Sequence, residues 1–330
     1  MSTLETNSIG KYSGNNVSLD DSLNLKSYST TNRDALTSVA GDMIYNSTLN
    51  LPQVFNGTSW ISLGSVEINY LVIAGGGSGG FSSPGGGGAG GYRSAYNSES
   101  SGGGGSAESA YKIIPDGTLY AVSVGAGGAA LGSNGQGKDG SDSVFAAITS
   151  SGGGGGGFGT GNVPGNSGGS GGGGSQGSSS GGAGTSNQGF AGGSGNGGGG
   201  GAGSTGFNGF GANVGIADNG GKGGSGVAST ITGSSVTRAS GGSAYYKSGS
   251  SAIVSPNVTG GGGGATTANG AANTGGGGKA DGGAGGSGVV ILRYPNVFTI
   301  SQTGLTLSTA TDGSDSVTTI TAGTGTVSWS

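Results

Sequence analysis

Glycine is concentrated in one block of this chain, and that block limits what the chain can fold into. Of the 330 residues, 89 are glycine; residues 151–288 hold 57 of them, whereas residues 1–64 hold 5 and residues 289–330 hold 4. Glycine loses more conformational entropy on folding than any other residue, so an ordered polyglycine segment needs a compensating network of contacts. A glycine block between two ordinary ends predicts a structural or binding module rather than an enzyme.

The remaining composition excludes several classes of function. Hydrophobic residues make up 30% and charged residues 8% of the chain, well below the usual levels of roughly 45–50% and 25%, so a normal core can form in only part of it. The 11 Lys and Arg residues are scattered singly and offer no basic patch for nucleic acid. Cysteine and histidine are absent, which removes thiolate metal sites and the usual general base. We therefore expect no catalytic residues, no metal and no cofactor.

Residues 1–64 form the first predicted unit. Thr31–Leu36 has the pattern of one short helical turn capped by Thr31. Asn56-Gly57 between apolar runs predicts a hairpin, so we expect two or three short strands here. The apolar content is too small for independent stability. We expect this unit to attach to copies of itself or to another protein.

The predicted strands after residue 64 are interrupted by the glycine block. Ser65–Ala74, Ser109–Pro115, Thr118–Val124 and Ser143–Thr149 have the composition and spacing of an antiparallel sandwich. Strand pattern returns at 227–231, 235–238 and 288–294. We expect the last of these to pair with Tyr70–Ala74, which would make the glycine block an insertion. Residues 297–330 predict short antiparallel strands with turns at Asp312-Gly313 and Gly323–Gly325.

The glycine runs themselves predict a bundle of extended left-handed helices with three residues per turn. Without side chains, each N–H can bond to a carbonyl of a neighbouring helix, so no backbone group is left unpaired. The predicted fold class is therefore mainly β: an antiparallel β-sandwich with an inserted polyglycine-II-type helix bundle and few or no α-helices. The predicted domains are 1–64, 65–296 and 297–330. Candidate turns between runs are 162–164, 185–188, 207–208, 213–219 and 244–256.

Several strand motifs resemble a glycine-rich domain common in tailed phages and bacteria. They are Tyr70–Gly77, Gly85–Arg93, Tyr120–Gly127, Asp142–Phe145, Ile231–Thr237 and Gly285–Pro295. In addition, Thr31–Leu36, Asp42–Asn46 and Asn56–Trp60 resemble a segment found in phage tail fibres, particularly marine ones. The resemblance implies a virion fibre or adhesin, usually a homotrimer, whose exposed loops contact a glycan or outer-membrane protein of the host. It also implies attachment to other virion proteins through residues 1–64.

Two local motifs imitate binding sites without their structural context. Gly75-x-Gly77-x-x-Gly80 follows a strand as in a dinucleotide fingerprint, but Phe81–Gly85 cannot begin the required helix. Gly135-x-Gly137-x-Asp139 occurs once, whereas repeat-type calcium turns need stacked copies. The first residues form neither an apolar run nor a basic leader, so we expect synthesis in the host cytoplasm without a signal peptide. No segment approaches the length of a membrane span.

Aromatic residues in or beside the glycine runs are the candidate receptor contacts. Burial at the flanks of the bundle is the commoner use of such residues, but some can anchor a ligand. The candidates are Tyr245, Tyr246, Lys247, Phe207, Phe210, Tyr92 and Tyr96. Tyr245-Tyr246-Lys247 is preferred because it lies in the longest glycine-poor loop.

Three other functions stay open at this point. A capsid decoration or head-fibre protein would have the same fold and a different attachment point. A bacterial surface adhesin would also suit the fold. A polysaccharide depolymerase would need two carboxylates a few ångströms apart, and the adjacent acids Asp20 and Asp21 lie in a polar stretch.

Overall fold

The computed structural model describes residues 24–159, 162–177, 179–209, 221–248, 251–254, 259–264 and 267–330, with 245–248 and 251–254 described by their backbone alone. The predicted turn at 213–219, Phe210, Asp20 and Asp21 lie outside these residues. Contacts divide the chain into two compact units, Met1–Gly64 and Ser65–Ser330. Strands account for 29% and helix for 2% of the described structure, which confirms the predicted mainly β class.

The described part of the first unit, residues 24–64, contains one short helix and a four-stranded sheet. Its elements are β1 (Ser27–Tyr28), α1 (Thr30–Asp34), β2 (Met43–Asn46), β3 (Leu51–Phe55) and β4 (Trp60–Ser62). β1 runs parallel to β2, and the other neighbours are antiparallel. The hairpin predicted at Asn56-Gly57 is confirmed, with Asn56 Oδ1 accepting hydrogen bonds from the N–H groups of Thr58 and Ser59. The predicted cap is wrong: Ser29, not Thr31, precedes the helix and accepts from Asn32 N–H.

The second unit contains short strands and one long hairpin. Its strands are β5 (Val66–Ile73), β6 (Tyr92–Ser94), β7 (Tyr111–Ile113), β8 (Tyr120–Ser123), β9 (Ser143–Phe145), β10 (Ile148–Ser150), β11 (Val227–Ser229), β12 (Val236–Arg238), β13 (Tyr245–Ser248), β14 (Ser251–Val254), β15 (Val289–Pro295), β16 (Ile300–Asp312) and β17 (Asp315–Trp329). No helix in the described part of the chain is long and apolar enough to cross a membrane.

Nine of these strands form one antiparallel sheet. The order is β10-β9-β8-β17-β15-β5-β6, with β16 paired along β17 and β7 along β5. The predicted pairing of the last strand with Tyr70–Ala74 is confirmed, because Val289 pairs with Ile73 and Leu292 with Tyr70. The sheet curls into a nearly closed barrel, so the two layers of the predicted sandwich are parts of one hydrogen-bonded sheet.

Three local predictions differ from the observed elements. The stretch 143–149 is two strands, β9 and β10, that reverse through Ala146 in a left-handed conformation (φ 51°). Gly323–Gly325 lies inside β17 as an irregularity, not in a turn. The expected loop 244–256 contains the antiparallel pair β13–β14. In addition, residues 297–330 share the nine-stranded sheet, since β17 pairs with both β15 and β8.

The central strands β5 and β15 of the sheet are largely buried on both faces, whereas β16 is mostly exposed. On one face, aromatic rings pack together: Tyr111 and Trp329 contact Phe145 at centroid distances of 5.3 and 6.4 Å, and Tyr294 contacts Trp329 at 5.7 Å. The other face packs against the glycine bundle. That second cluster joins Leu71, Ile73, Tyr92, Val289, Ile291 and Val317 to Ala89, Ala202, Ile231 and Ala239. The small alanine side chains let the bundle lie close to the sheet.

The glycine runs form a bundle with a three-residue period. Along Gly85–Gly91 every N–H donates to another run at N···O distances of 2.8–3.1 Å: residues 85, 88 and 91 bond to run 151–157, residues 86 and 89 to run 197–200, and residues 87 and 90 to run 275–278. Its carbonyls accept from runs 74–80, 170–173 and 239–244. Bonds repeating in three directions every three residues are those of a polyglycine-II helix. The predicted bundle is therefore confirmed.

Candidate functional site

The turns of the bundle fall into two groups, because successive runs alternate in direction. Runs that leave the sheet end in turns far from it, and runs that return end beside the strands. We call the far group the loop end; its described members are 81–84, 129–134, 158–159, 162–164, 175–177, 194–196, 207–209, 245–248, 251–254 and 280–282. The turns 185–188, 202–204 and 272–274 lie at the opposite, sheet end. One scaffold thus presents many loops on one surface.

Neighbouring loops of this surface are bonded to each other. Gln176 N–H donates to the Ser83 carbonyl at 3.1 Å, and Gly195 N–H donates to the Ser179 carbonyl at 2.9 Å. Leu131 N–H donates to the Gly282 carbonyl at 2.9 Å. The loops therefore support each other through backbone bonds as well as through the runs beneath them.

Several turns at the loop end hold non-glycine residues in the left-handed conformation. Ser82 and Ser83 are consecutive, with φ of 64° and 52°, and Asn162, Asn196 and Asp281 have φ of 53°, 57° and 68°. This conformation costs free energy for L-residues and persists where the surroundings impose it. Left-handed residues also occur in turns at the sheet end, so this conformation is not special to the loop end. At both ends it sets the shape of the turn.

Partly exposed apolar side chains lie at two places on the loop end. Phe81 and Leu131 are half-buried on either side of Gly282: a Cβ on Gly282 would lie 2.9 Å from Phe81 Cδ2 and 2.3 Å from the Leu131 carbonyl oxygen. Phe207 is 45% exposed, and Lys222 Nζ lies 6.0 Å from its ring centroid. An aromatic ring beside a cation can contact a polar, partly apolar ligand such as a glycan or a loop of a protein.

Among the described side chains of the loop end, the charge is small and mixed. Asp281 is exposed as a residue, yet partial desolvation raises the pKa of its carboxyl, and the nearby positive charge of Lys279 opposes that rise. With Lys222 beside Phe207, both signs of charge are present. Such a surface favours contacts by shape and hydrogen bonds over long-range electrostatic attraction.

The candidate receptor contacts are divided between the loop end and the sheet. Phe207 lies at the loop end, and Tyr245, Tyr246 and Lys247 lie on β13, which continues from the outgoing run 239–244. The positions of these three side chains, and the whole of Phe210, lie outside the described part.

Tyr92 and Tyr96 lie at the sheet rather than at the loop end. Tyr92 has 0% of its surface exposed, and burial raises the pKa of its hydroxyl. Its ring is part of the core and is not available to a receptor. Tyr96 is half-buried against that core, with the Arg293 guanidinium carbon 5.4 Å from its ring centroid. We therefore do not include these two tyrosines in the site.

A pocket of about 560 Å³ lies at the sheet end. It is lined by Arg93, Ser106, Ala107, Glu108 and residues 186–188. Its charged groups bond to each other: Arg93 donates to both carboxylate oxygens of Glu108 at 2.7 Å, and the Tyr70 hydroxyl donates to Glu108 Oε2 at 2.7 Å. This cluster ties β5 and β6 to the chain at Glu108, so we assign it to the stability of the sheet.

The described residues of the loop end offer groups that can contact a ligand. Among the residues described, no three His, Cys, Asp or Glu side chains are grouped so as to hold a metal ion. The surface offers backbone amides, Ser and Asn side chains, and the apolar rings of Phe81 and Phe207. Loops on a rigid scaffold with this composition are typical of binding surfaces.

Phe81, Leu131 and Asp281 are loop-end residues that the sequence analysis did not select. The signal that finds them is the order of the interruptions between glycine runs. Since runs alternate in direction, every second interruption lies at the same end. The same reasoning places Thr185–Gln188, one of the predicted turns, at the sheet end.

Comparison with known proteins identifies a family. The model of the glycine-rich domain family matches residues 53–295, which is most of the chain. No curated protein and no solved structure matches significantly. The matched range includes the second unit's strands β5 to β15 and the whole bundle. The chain belongs to the glycine-rich domain family.

Proposed function

We propose that this protein is a non-enzymatic structural component of a tailed-phage virion, a tail fibre or adhesin that binds the host cell surface through the loop end. The observation that carries the proposal is the arrangement of the bundle, whose alternating runs bring many loops to one surface. The resemblance of the strand motifs to the glycine-rich domain of tailed phages gives the proposal its setting.

The bundle suits a binding surface whose backbone is rigid while the side chains of its loops can vary. Inter-run backbone bonds hold the loops in place, and those bonds need no particular side chain in the loops. Loop residues can therefore change without disturbing the bundle, as binding loops on rigid frameworks commonly do. In a homotrimer, three loop ends would add weak contacts through a high effective concentration. Such binding fits a receptor that is repeated over a cell surface, such as a glycan or an abundant outer-membrane protein.

The first unit has the features of an attachment segment. Its sheet carries polar residues on the face next to α1, where Asn46 Nδ2 donates to Gln53 Oε1 at 2.9 Å and Gln53 Nε2 donates to Ser62 Oγ at 3.2 Å. On the other face Met43, Val54 and Ile61 are cross-strand neighbours, and Met43 is 45% exposed. An apolar sheet face needs a partner to cover it, which supports docking to other virion proteins or to copies of the chain.

Immunogold electron microscopy of intact virions tests the location, with an antibody raised against residues 151–288. Gold at the tail or its fibres supports host recognition. Gold on the head would replace the proposal with a capsid decoration, and unlabelled virions would contradict a virion protein of either kind.

Adsorption measurements test the role of the loop end. The purified chain should compete with phage for host cells. Phe207→Ala should weaken that competition by about tenfold, which corresponds to a loss of about 1.4 kcal/mol of binding free energy. Leu119→Ala, which truncates a 67% exposed side chain before β8, is the control and should compete like the unmodified chain. Equal competition by both variants would remove Phe207 from the contact surface, and no competition by the unmodified chain would contradict adhesion.

A further inference from the structure

The chain contains a chemically labile dipeptide six times, and the fold treats the copies differently. In Asn-Gly, the glycine nitrogen can attack the asparagine side-chain carbonyl carbon because no Cβ hinders its approach. The pairs are 56–57, 134–135, 196–197, 208–209, 219–220 and 269–270. All except 219–220 lie in the described part of the chain. The attack needs a freed N–H and a side chain that can rotate over it, so hydrogen bonds at either group oppose it.

Three of the pairs have their glycine N–H bonded inside the bundle. Gly197 N–H donates to the Gly174 carbonyl at 3.0 Å, Gly209 N–H to the Ser194 carbonyl at 2.8 Å, and Gly270 N–H to the Ala284 carbonyl at 2.8 Å. Two of the asparagines are also held by their side chains: Asn208 Oδ1 accepts from Ser194 N–H and Asn269 Oδ1 from Ala284 N–H. The fold therefore restrains both reacting groups at Asn208 and Asn269, and the glycine nitrogen at Asn196.

The pair Asn56-Gly57 is restrained differently. Asn56 Oδ1 accepts hydrogen bonds from Thr58 N–H at 2.9 Å, from the Thr58 hydroxyl at 2.9 Å and from Ser59 N–H at 2.8 Å. These three bonds fix the side chain towards the residues that follow Gly57. The side-chain carbonyl carbon is thus held in the hairpin loop.

Asn134-Gly135 lacks both restraints. Asn134 is exposed in the loop 129–134, and within the described ranges neither its side chain nor the Gly135 N–H has a hydrogen-bond partner. Only the Gly135 carbonyl is engaged, by Phe81 N–H at 3.0 Å. This bond anchors the far side of Gly135 and leaves its nitrogen and the preceding side chain able to meet.

We infer that Asn134 is a self-modification site at the loop end, where the folded chain converts asparagine to a mixture of aspartate and isoaspartate. The Gly135 nitrogen gives up its proton to a base in the solvent and bonds to Asn134 Cγ. Nδ2 takes up a proton from the solvent, the Cγ–Nδ2 bond breaks, ammonia leaves, and a succinimide ring remains. Water then cleaves the ring: breaking the new N–Cγ bond gives aspartate, and breaking the original peptide bond to Gly135 gives isoaspartate.

The consequence is local to the loop end. Each conversion replaces a neutral amide by a carboxylate and adds one negative charge to that surface. The isoaspartate product also inserts one extra main-chain carbon between the loop and the run that begins at Gly135. A population of molecules would therefore acquire two altered forms of the same loop over time.

Peptide mapping by mass spectrometry tests the inference on the intact folded protein, aged at mildly alkaline pH. We expect conversion at Asn134 to be about tenfold faster than at Asn208 or Asn269, the factor expected when a hydrogen bond must first be broken. In denaturing urea the rates at the described sites should become similar, because the fold no longer restrains them. Equal rates at Asn134 and Asn208 in the folded protein would overturn the inference.

The substitution Gly135→Ala is a matched variant. A Cβ at this position has its nearest neighbours, Leu131 Cδ1 and the Ser133 carbonyl oxygen, at 3.9 Å, so the loop should accept it. The added methyl hinders the nitrogen, and conversion at Asn134 should fall while the rate at Asn208 stays the same. Unchanged conversion at Asn134 would overturn the succinimide route. The wild-type comparison among sites holds whether or not this variant folds.

Discussion

At the scale of single residues, the glycines of the bundle are required by the distance between backbones. A Cβ on Gly77 would lie 2.2 Å from the Gly154 carbonyl oxygen, and one on Gly85 would lie 2.0 Å from that of Gly173. These neighbours are backbone atoms tied into further hydrogen bonds, so they cannot move aside. The few non-glycine residues inside the runs, such as Ser78 and Ala89, are small and fully buried.

Gly77→Ala should therefore lower the free energy of unfolding by about 1–3 kcal/mol, the usual cost of overpacking, or more. Gly132→Ala is the matched control, since a Cβ there meets nothing within 4 Å; it should be neutral or stabilising by about 0.4–1 kcal/mol through the unfolded state. Urea denaturation of both variants measures the difference. Equal stability of the two would contradict the steric role of the bundle glycines.

Because two tyrosines are buried, we expect the free energy of unfolding to decrease at alkaline pH. Burial is the main reason that the pKa values of Tyr70 and Tyr92 lie above the ordinary value of 10.0. The folded state therefore keeps its hydroxyl protons while the unfolded state releases them, so this contribution is full below pH 10 and declines as the pH rises further. Tyr92→Phe should show a smaller loss between pH 7 and pH 11 than the unmodified chain. An identical pH profile in urea denaturation would contradict this.

At the scale of elements, the long hairpin of β16 and β17 joins two parts of the sheet. The half of β17 next to the hairpin turn pairs with β15 through Asp315–Ile320, and the other half of β17 pairs with β8 through Thr324–Val327. Register shifts between Thr303 and Leu305 and between Thr306 and Leu307 accompany the change of partner. Gly323 adopts φ 108° there, a conformation that L-residues rarely adopt, so the hairpin bends where glycine permits it.

Gly323→Ala should destabilise the sheet by at least about 1–3 kcal/mol, because a Cβ would lie 2.2 Å from the Gly304 carbonyl oxygen. Gly313→Ala, in the turn of the same hairpin, is the comparison: its φ is 62° and a Cβ would meet nothing within 4 Å, so it should cost only about 1–2 kcal/mol. Thermal or urea unfolding followed by near-ultraviolet circular dichroism reports the packing of Trp329. A larger cost at Gly313 would contradict the bend.

At the scale of the whole molecule, stability is divided between a small aromatic core and a bundle held by backbone hydrogen bonds. The described runs of the bundle bury only a few small side chains, yet the N–H groups along Gly85–Gly91 are all bonded to other runs. Protection of backbone amides against hydrogen exchange depends on burial and hydrogen bonding. The amides of a region without α-helix or β-sheet can therefore exchange as slowly as those of the strands.

Hydrogen exchange should show this directly. Peptides that cover Gly85–Gly91 should exchange as slowly as those that cover β5, and the loop 129–134 should exchange much faster. Mass spectrometry of the exchanged protein measures both in one experiment. Rapid exchange along Gly85–Gly91 would mean that the inter-run bonds do not persist in solution.

The fold could be predicted from the sequence wherever side chains formed a recognisable strand or turn pattern. The apolar strand at Tyr70–Ala74, its partner at 288–294 and the hairpin at Asn56-Gly57 were predicted from local residues, since burial and turn preferences act over a few positions. The hairpin at 245–254 was missed because its short strands are flanked by glycine and serine. Gly323–Gly325 was predicted as a turn because glycine marks turns and bulges alike.

The sequence by itself determined that a glycine bundle would form and that ordinary strands would hold it, because composition decides which backbones can approach closely. Only the tertiary structure decided which run lies beside which, which loops share the loop end, and that Tyr92 is buried while Phe207 is exposed. The physical reason is that glycine runs carry no side chains, so successive runs are nearly equivalent as hydrogen-bond partners. Their neighbours are selected by the anchoring strands and by the lengths of the loops, which act over the whole unit.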